Sequence, residues 1–127
     1  MQQEQASHWL EQYGRAWETG DSALLATLFT ETASYCDSPF NEPMLGHSAI
    51  VEYWNAGAGA NQDDVKFSSN IWTVEGQIVI AHWSCRLVPK TGSRAVRYDG
   101  VFRLQFAPNL TDRPLCMRLE EWWMSDA

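Results

Sequence analysis

Cysteine is scarce and odd in number: Cys36, Cys85 and Cys116 stand far apart, with no C-x-x-C pair and no histidine at metal-ligand spacing. The pattern therefore calls for neither a disulfide framework nor a metal site, and the three read as small buried hydrophobes. Positive charge is also sparse. Nine Lys and Arg face sixteen acids, for a net charge of −7, and the cations are scattered. No basic stripe awaits phosphates, which argues against nucleic acid as a partner. No apolar run is long enough to span a bilayer, and Met1-Gln2-Gln3-Glu4-Gln5 has neither basic residues nor an apolar stretch. A cytoplasmic location without a membrane partner is the expectation. Asn109-Leu110-Thr111 fits a glycosylation sequon, but without a secretory signal it reads as a polar loop. There are no repeats and no low-complexity segments. At 127 residues the chain is expected to form one domain, 1–127, with room for a small cavity.

Aromatic residues are what the sequence has in excess: 13% of the chain, with seven tryptophans. Such a fraction points to flat surfaces that enclose an apolar ligand or meet another subunit. From a cap at Ser7, the residues Trp9, Leu10, Tyr13, Ala16 and Trp17 recur at helical spacing until Gly20. Asp21 then caps a shorter helix that buries Leu24, Leu25, Leu28 and Phe29. A third helix opens near His47 or Ser48, buries Ile50, Val51, Tyr53 and Trp54, and ends at Gly57-Ala58-Gly59. After Asp64 the periodicity becomes strand-like: about 66–75, 77–88, 95–107 and 115–125, an antiparallel meander. Helices first and strands after argue an α+β fold, with three helices on one face of a curved, mostly antiparallel sheet.

Between the second and third helices, Ala33-Ser34-Tyr35-Cys36-Asp37-Ser38-Pro39-Phe40 reads as a short strand and turn. Tyr35 and Asp37 alternate, so they are expected to share a face that the aromatic stripes cover. A carboxylate in such a hollow has a raised pKa unless it is paired, which makes Asp37 a candidate for proton transfer. A turn aspartate before Pro39 is the plain alternative. Inward and outward sets on the later strands stay open: Trp83 against His82, Gly100 against Asp99, Glu121 and Trp123 against Glu120 and Trp122. His82 is either a pocket base or an ordinary sheet histidine, and an inward Glu121 would need a partner such as His82 or Arg86. His8 and His47 read as surface residues. Because Trp122 and Trp123 are adjacent, one of them faces outward, and an outward indole suggests a second subunit.

The run Tyr13-x-x-x-Trp17-x-x-Gly20-Asp21, then Tyr35-x-Asp37-x-Pro39-Phe40, Gly46 and Ala49-Ile50-x-x-Tyr53-Trp54 resembles the nuclear transport factor 2-like superfamily. SnoaL-like members and steroid delta-isomerases are the nearest in pattern, and Val101 to Leu104 and Leu119 to Trp123 fit the closing strands. The resemblance implies a cone-shaped α+β barrel with an apolar pocket between helices and sheet, commonly a homodimer through the sheet. It places Tyr13 where the isomerases have a hydrogen-bonding tyrosine and Asp37 where they have the general base. Asp99 falls within one position of their second oxyanion acid, although it points out if Phe102 and Leu104 point in. A comparison with the limonene epoxide hydrolase-like branch matches Tyr35, Asp37 and Glu121, but that branch's arginine and aspartate pair is absent, since His82 and Ser84 stand nearest.

Two functions survive, because this fold hosts many chemistries, and a third is least favoured because it gives no reason to set acids among aromatics. One is a cofactor-independent isomerase, hydrolase or lyase for a small hydrophobic compound, with Asp37, Tyr13, His82 and Asp99 as candidate catalytic residues. Ligand-binding candidates are Trp17, Tyr35, Phe40 and Trp54, joined by Trp72, Phe102, Glu121 and Trp123. The second is a non-catalytic module holding an apolar ligand in the same rings, and the third is a dimerisation module. No cofactor or metal is expected in any of them.

Overall fold

The computed structural model describes residues 1–59, 62–92, 94–108 and 113–127, so the sequon at 109–111 and Ser93 of the expected 89–93 turn lie outside the described residues. Helix α1 (Gln3–Thr19) starts well before Ser7. The Gln2 amide donates to Gln5 Oε1 at 2.8 Å, closing a polar first turn that carries no apolar stripe and so gives no periodic signal. Beyond it Trp9, Leu10, Tyr13 and Ala16 are buried as the spacing requires. The helix ends on Gly20, whose φ of 67° suits glycine. In α2 (Ser22–Ala26), Asp21 Oδ1 accepts from the Leu24 amide at 2.9 Å. Leu28 and Phe29 are buried but lie past the helix, and Phe29 opens β1 (Phe29–Cys36).

A two-residue edge strand, β2 (Met44–Leu45), leads into α3 (Gly46–Trp54), and a π-helical turn, Asn55–Gly59, extends it. His47, expected on the surface, is part-buried, with its Nε2 2.9 Å from the Phe29 carbonyl. Four long strands follow: β3 (Gln62–Glu75), β4 (Ile78–Pro89), β5 (Val96–Phe106) and β6 (Cys116–Ser125). They form the expected antiparallel meander, and β1 adds to it parallel to β6, giving the order β2-β1-β6-β5-β4-β3. The sheet is α+β and curved as expected, but it remains open rather than closing on itself.

Burial decides the open parities of β4 and β5 and of Glu121 against Glu120, whereas Trp123 is set apart from the equally exposed Trp122 by lining the inner cavity. On β4, Val79, Ala81, Trp83, Cys85 and Leu87 face the helices, and Phe102, Leu104 and Leu119 join them in one core with the α1 stripe. His82, Ser84 and Arg86 face away, as do Asp99 and Glu120. Gly100 sits opposite Trp83 because nothing larger fits: a Cβ there would lie 2.7 Å from the Trp122 carbonyl oxygen and 2.8 Å from Trp83 Cε2. Gly100→Ala is expected to destabilise the fold by about 1–3 kcal/mol, as overpacking does. Chemical denaturation followed by tryptophan fluorescence would measure it.

Candidate functional site

A cavity of about 420 Å³ opens between α1, α3, β1 and the inner face of β4 to β6. Four indoles line it: Trp17, Trp54, Trp83 and Trp123. Four phenols complete the aromatic wall, Tyr13, Tyr35, Tyr53 and Tyr98, and Gln62 and Glu121 supply further polar groups. A hollow of about 500 Å³ on the outer face is lined by charges such as Arg86, Arg97, Asp99 and Asp126. Those charges already pair, Arg97 with Asp126 at 2.8 Å, Arg86 with Asp64 at 3.7 Å and Asp99 with His82 at 2.9 Å, so that hollow is a solvated charged groove.

Three side chains brought together by three elements form the polar centre of the inner cavity. Tyr13 comes from α1, Tyr35 from β1 and Glu121 from β6. The Tyr13 and Tyr35 hydroxyls lie 2.8 Å apart, and the Tyr35 hydroxyl donates to Glu121 Oε2 at 3.3 Å. Glu121 is only 7% exposed. Its pKa is pushed up to about 8, mainly by burial and further by the negative charge of Asp37, while the Tyr35 hydrogen bond pulls it down. The hydroxyl contact is long for O–H···O, which is why desolvation wins. Near neutral pH Glu121 is therefore mostly a neutral acid, able to donate a proton. Burial, reinforced by the Glu121 charge, raises the Tyr13 and Tyr35 pKa values well above the ordinary phenol range, so both stay hydroxyls and act as donors. Tyr53 is raised chiefly by burial, and further by the negative charges of Glu121 and Asp37.

The Glu121 partner is thus Tyr35, and neither His82 nor Arg86, both of which face outward. His82 and Asp99, expected as candidate catalytic groups, pair with each other on the far side of the sheet with His82 Nε2 2.9 Å from both Asp99 oxygens. Trp72 is not a cavity residue either: a bulge between Ile71 and Thr73 turns it outward, where it stacks on His82 with ring centres 5.6 Å apart. Phe40 is 95% exposed, carried into solvent by the turn after Pro39. Phe102 is fully buried beneath the cavity, 5.3 Å from the Tyr13 ring centre, and does not line it.

Asp37 is half-buried and stands at the rim rather than in the wall. β1 ends at Cys36, so strand alternation no longer carries Asp37 onto the Tyr35 face. Its Oδ1 accepts from Asn41 Nδ2 at 3.1 Å and its carbonyl accepts from Trp123 Nε1 at 2.9 Å. Tyr98 and Gln62 belong to the wall without having been singled out in the sequence, and Tyr53, read there as a buried helix residue, joins them. Trp17 Nε1 donates to Gln62 Oε1 at 2.8 Å. A tryptophan facing a glycine across two strands, Trp83 and Gly100, is a signal that could have marked this region. The Nε1 atoms of Trp54 and Trp83 are buried without a hydrogen-bond partner among the described residues. Cys85 and Cys116 are buried, with thiols pushed up to about 12, and are unreactive core residues. Among the described residues no cluster of three metal-ligating side chains occurs, and no helix is long and apolar enough to cross a membrane.

Helices packed on one face of an open, curved sheet, with the cavity between them, are the fold of nuclear transport factor 2-like proteins. The chain belongs to the SnoaL-like domain family, whose model matches residues 10–109. Comparison with curated protein sequences gives no match. Among solved structures, the epoxide hydrolase/cyclase-like enzyme SalBIII, with a role in pyran ring formation in salinomycin, is similar at 20% identity; 98% of this chain and 95% of that one align, with a TM-score of 0.76. A Bacillus subtilis protein provisionally assigned as an isomerase is similar at 16% identity over 95% and 87% of the two chains, TM-score 0.77. A nuclear transport factor 2-like protein from Salmonella enterica is 16% identical over 94% and 88%, TM-score 0.75. At these identities the likeness is one of fold.

Folded Glu121 keeps its proton to about pH 8, whereas the unfolded carboxyl loses it near the ordinary value of 4.5. Between those values the native state binds more protons, so this group's contribution makes stability fall as pH rises and level off above 8. The slope is at most about 1.4 kcal/mol per pH unit. Glu121→Gln is expected to flatten the decline between pH 5 and 8, read from unfolding midpoints of both proteins across that range.

Proposed function

We propose that this protein binds a small, largely apolar molecule in the ring-lined cavity and transfers a proton on it without a cofactor, as an isomerase- or lyase-type enzyme. The observation that carries the reading is the Glu121 carboxyl, held out of water beside two tyrosine hydroxyls and poised near neutral pH. Glu121 takes or gives the proton. Tyr13 turns its hydroxyl proton from Tyr35 to the substrate oxygen as negative charge develops there. Asp37 acts from the rim, where its charge raises the Glu121 and Tyr53 pKa values. An epoxide hydrolase/cyclase-like enzyme and a provisional isomerase among the similar structures are in keeping with a reactive cavity. Epoxide hydrolysis through an arginine and aspartate pair is not favoured, because His82 and Ser84 occupy the nearest positions and face away.

A non-catalytic binder is the second reading, favoured by the way Tyr13 and Tyr35 satisfy each other as a core network would. The two separate by solvent-deuterium exchange into a panel of small enones, ketones and amino ketones, followed by mass spectrometry. Exchange is expected to rise with pH toward a plateau above about 8, and to drop about 100-fold or more in Glu121→Gln. In Asp37→Asn it persists with its midpoint moved to lower pH. Loss of exchange in Asp37→Asn would return the base role to Asp37, and binding without exchange in the native protein supports the binder.

The outer face offers Trp72, Trp122 and Met124, which are 57%, 46% and 74% exposed. We propose that a second copy of the chain covers it, giving a homodimer through the sheet. Sedimentation equilibrium is expected to give about twice the 14.5 kDa chain mass, and Trp122→Glu to return a monomer.

A further inference from the structure

The cavity wall discriminates between apolar guests by charge. Among the described residues, eight of the twelve that line it are tryptophan or tyrosine, Glu121 is the one carboxyl, and none is Lys, Arg or His. Aromatic ring faces are negative, and the whole chain carries −7, so an anionic guest would meet no counter-charge there. A cation meets the opposite situation. Within about 6 Å of a ring centre, an ammonium group is attracted to the ring face, most strongly where water is excluded.

The rings also meet at angles rather than lying in one stack. Trp17 is 5.7 Å from Trp83 with their planes at 57°, and 6.4 Å from Tyr13 at 84°. Tyr98 and Trp123 are 5.5 Å apart at 56°. Angled pairs make corners, and a compact group seated in a corner touches more than one ring. The hydrogen bond from Trp17 to Gln62 fixes one such wall.

We infer that the cavity takes a ligand bearing a protonated amine or quaternary ammonium group, set among these rings and opposite the Glu121 carboxyl, with its apolar remainder filling the hollow. This rests on the cavity being the ligand site, as proposed above, and names the class of molecule. The groups facing Glu121 are Tyr13 from α1, Tyr35 and then Asp37 from β1 and the loop after it, and Tyr53 from α3, none of them cationic. A bound cation is therefore the missing counter-charge, and its entry expels the Glu121 proton. Below pH 8 the cation competes with that proton. Its affinity rises by up to about tenfold per pH unit and levels off above 8.

The test uses the full chain and three probes of similar shape: benzyltrimethylammonium, its neutral isostere neopentylbenzene, and the anion 3-phenylpropionate. Tryptophan fluorescence gives the affinities, and calorimetry in buffers of different ionisation enthalpy counts protons released. The cation is expected to bind about tenfold or more tighter than the neutral isostere, and the anion not at all. Proton release near pH 7 approaches one per cation bound in the native protein, a readout that needs no variant. Glu121→Gln removes both the release and the pH dependence and weakens the cation alone. Equal or tighter binding of neopentylbenzene overturns the inference while leaving a ligand cavity. Failure of all three probes to bind overturns both readings. Cation binding with no proton release and no response to Glu121→Gln overturns the placement at Glu121.

Discussion

The carboxyl of Glu121 is withdrawn from water and held, among the described residues, by one long hydrogen bond from Tyr35, and the surrounding structure is arranged about that cost. An ionised carboxylate in such a place would cost several kcal/mol even after relaxation, so the side chain keeps its proton instead. Keeping it requires shelter, to which the buried Trp54 and Trp83 indoles contribute, and a site without a neighbouring cation, in line with the outward turn of His82 and Arg86. The same conditions hold Tyr13 and Tyr35 as neutral donors. One burial decision thus sets the protonation of a whole cluster.

β6 ties this interior to the rest of the molecule. Along one stretch of backbone it presents Glu121 inward, Trp122 outward and Trp123 to the rim, where the indole bonds to the Asp37 carbonyl. Gly100 on β5 lets Trp83 lie close beneath the Trp122 backbone. The cavity wall and the outer apolar face are two sides of the same few residues, so a change in one is felt by the other through a shared strand instead of a long chain of contacts.

Much of this was legible in the sequence, because it rests on periodicity. The α1 stripe, the Asp21 cap, the meander and the α+β arrangement follow from spacing alone, and the nuclear transport factor 2-like pattern of Tyr13, Trp17, Tyr35 and Trp54 agrees with the family found. The misplacements have local causes. Asp37 was read by strand alternation one residue past the end of its strand. Trp72 sits on a bulge, which inverts parity without leaving a mark in composition. Phe40 follows a proline turn that throws it into solvent, and the outward faces of His82 and Asp99 could not be told from inward ones while both sides of the strands carried apolar residues. Glu121 was named as a ligand contact, but its tyrosine partner was hidden, since Tyr35 lies far away along the chain and only the sheet order brings them together.

That sheet order has a kinetic side. Tyr35 and Glu121 are separated by 86 positions, and β1 meets β6 in parallel, so the chain must run through the entire meander before the two can touch. Pairings of such high sequence separation form late and slowly, since the loop they close is long. The helices and the hairpins of β3 to β5 can assemble from neighbouring segments. The acid joins the tyrosines only when the final strand docks, so a chain in which β6 has not yet paired leaves the rings of the unfinished cup open to other chains.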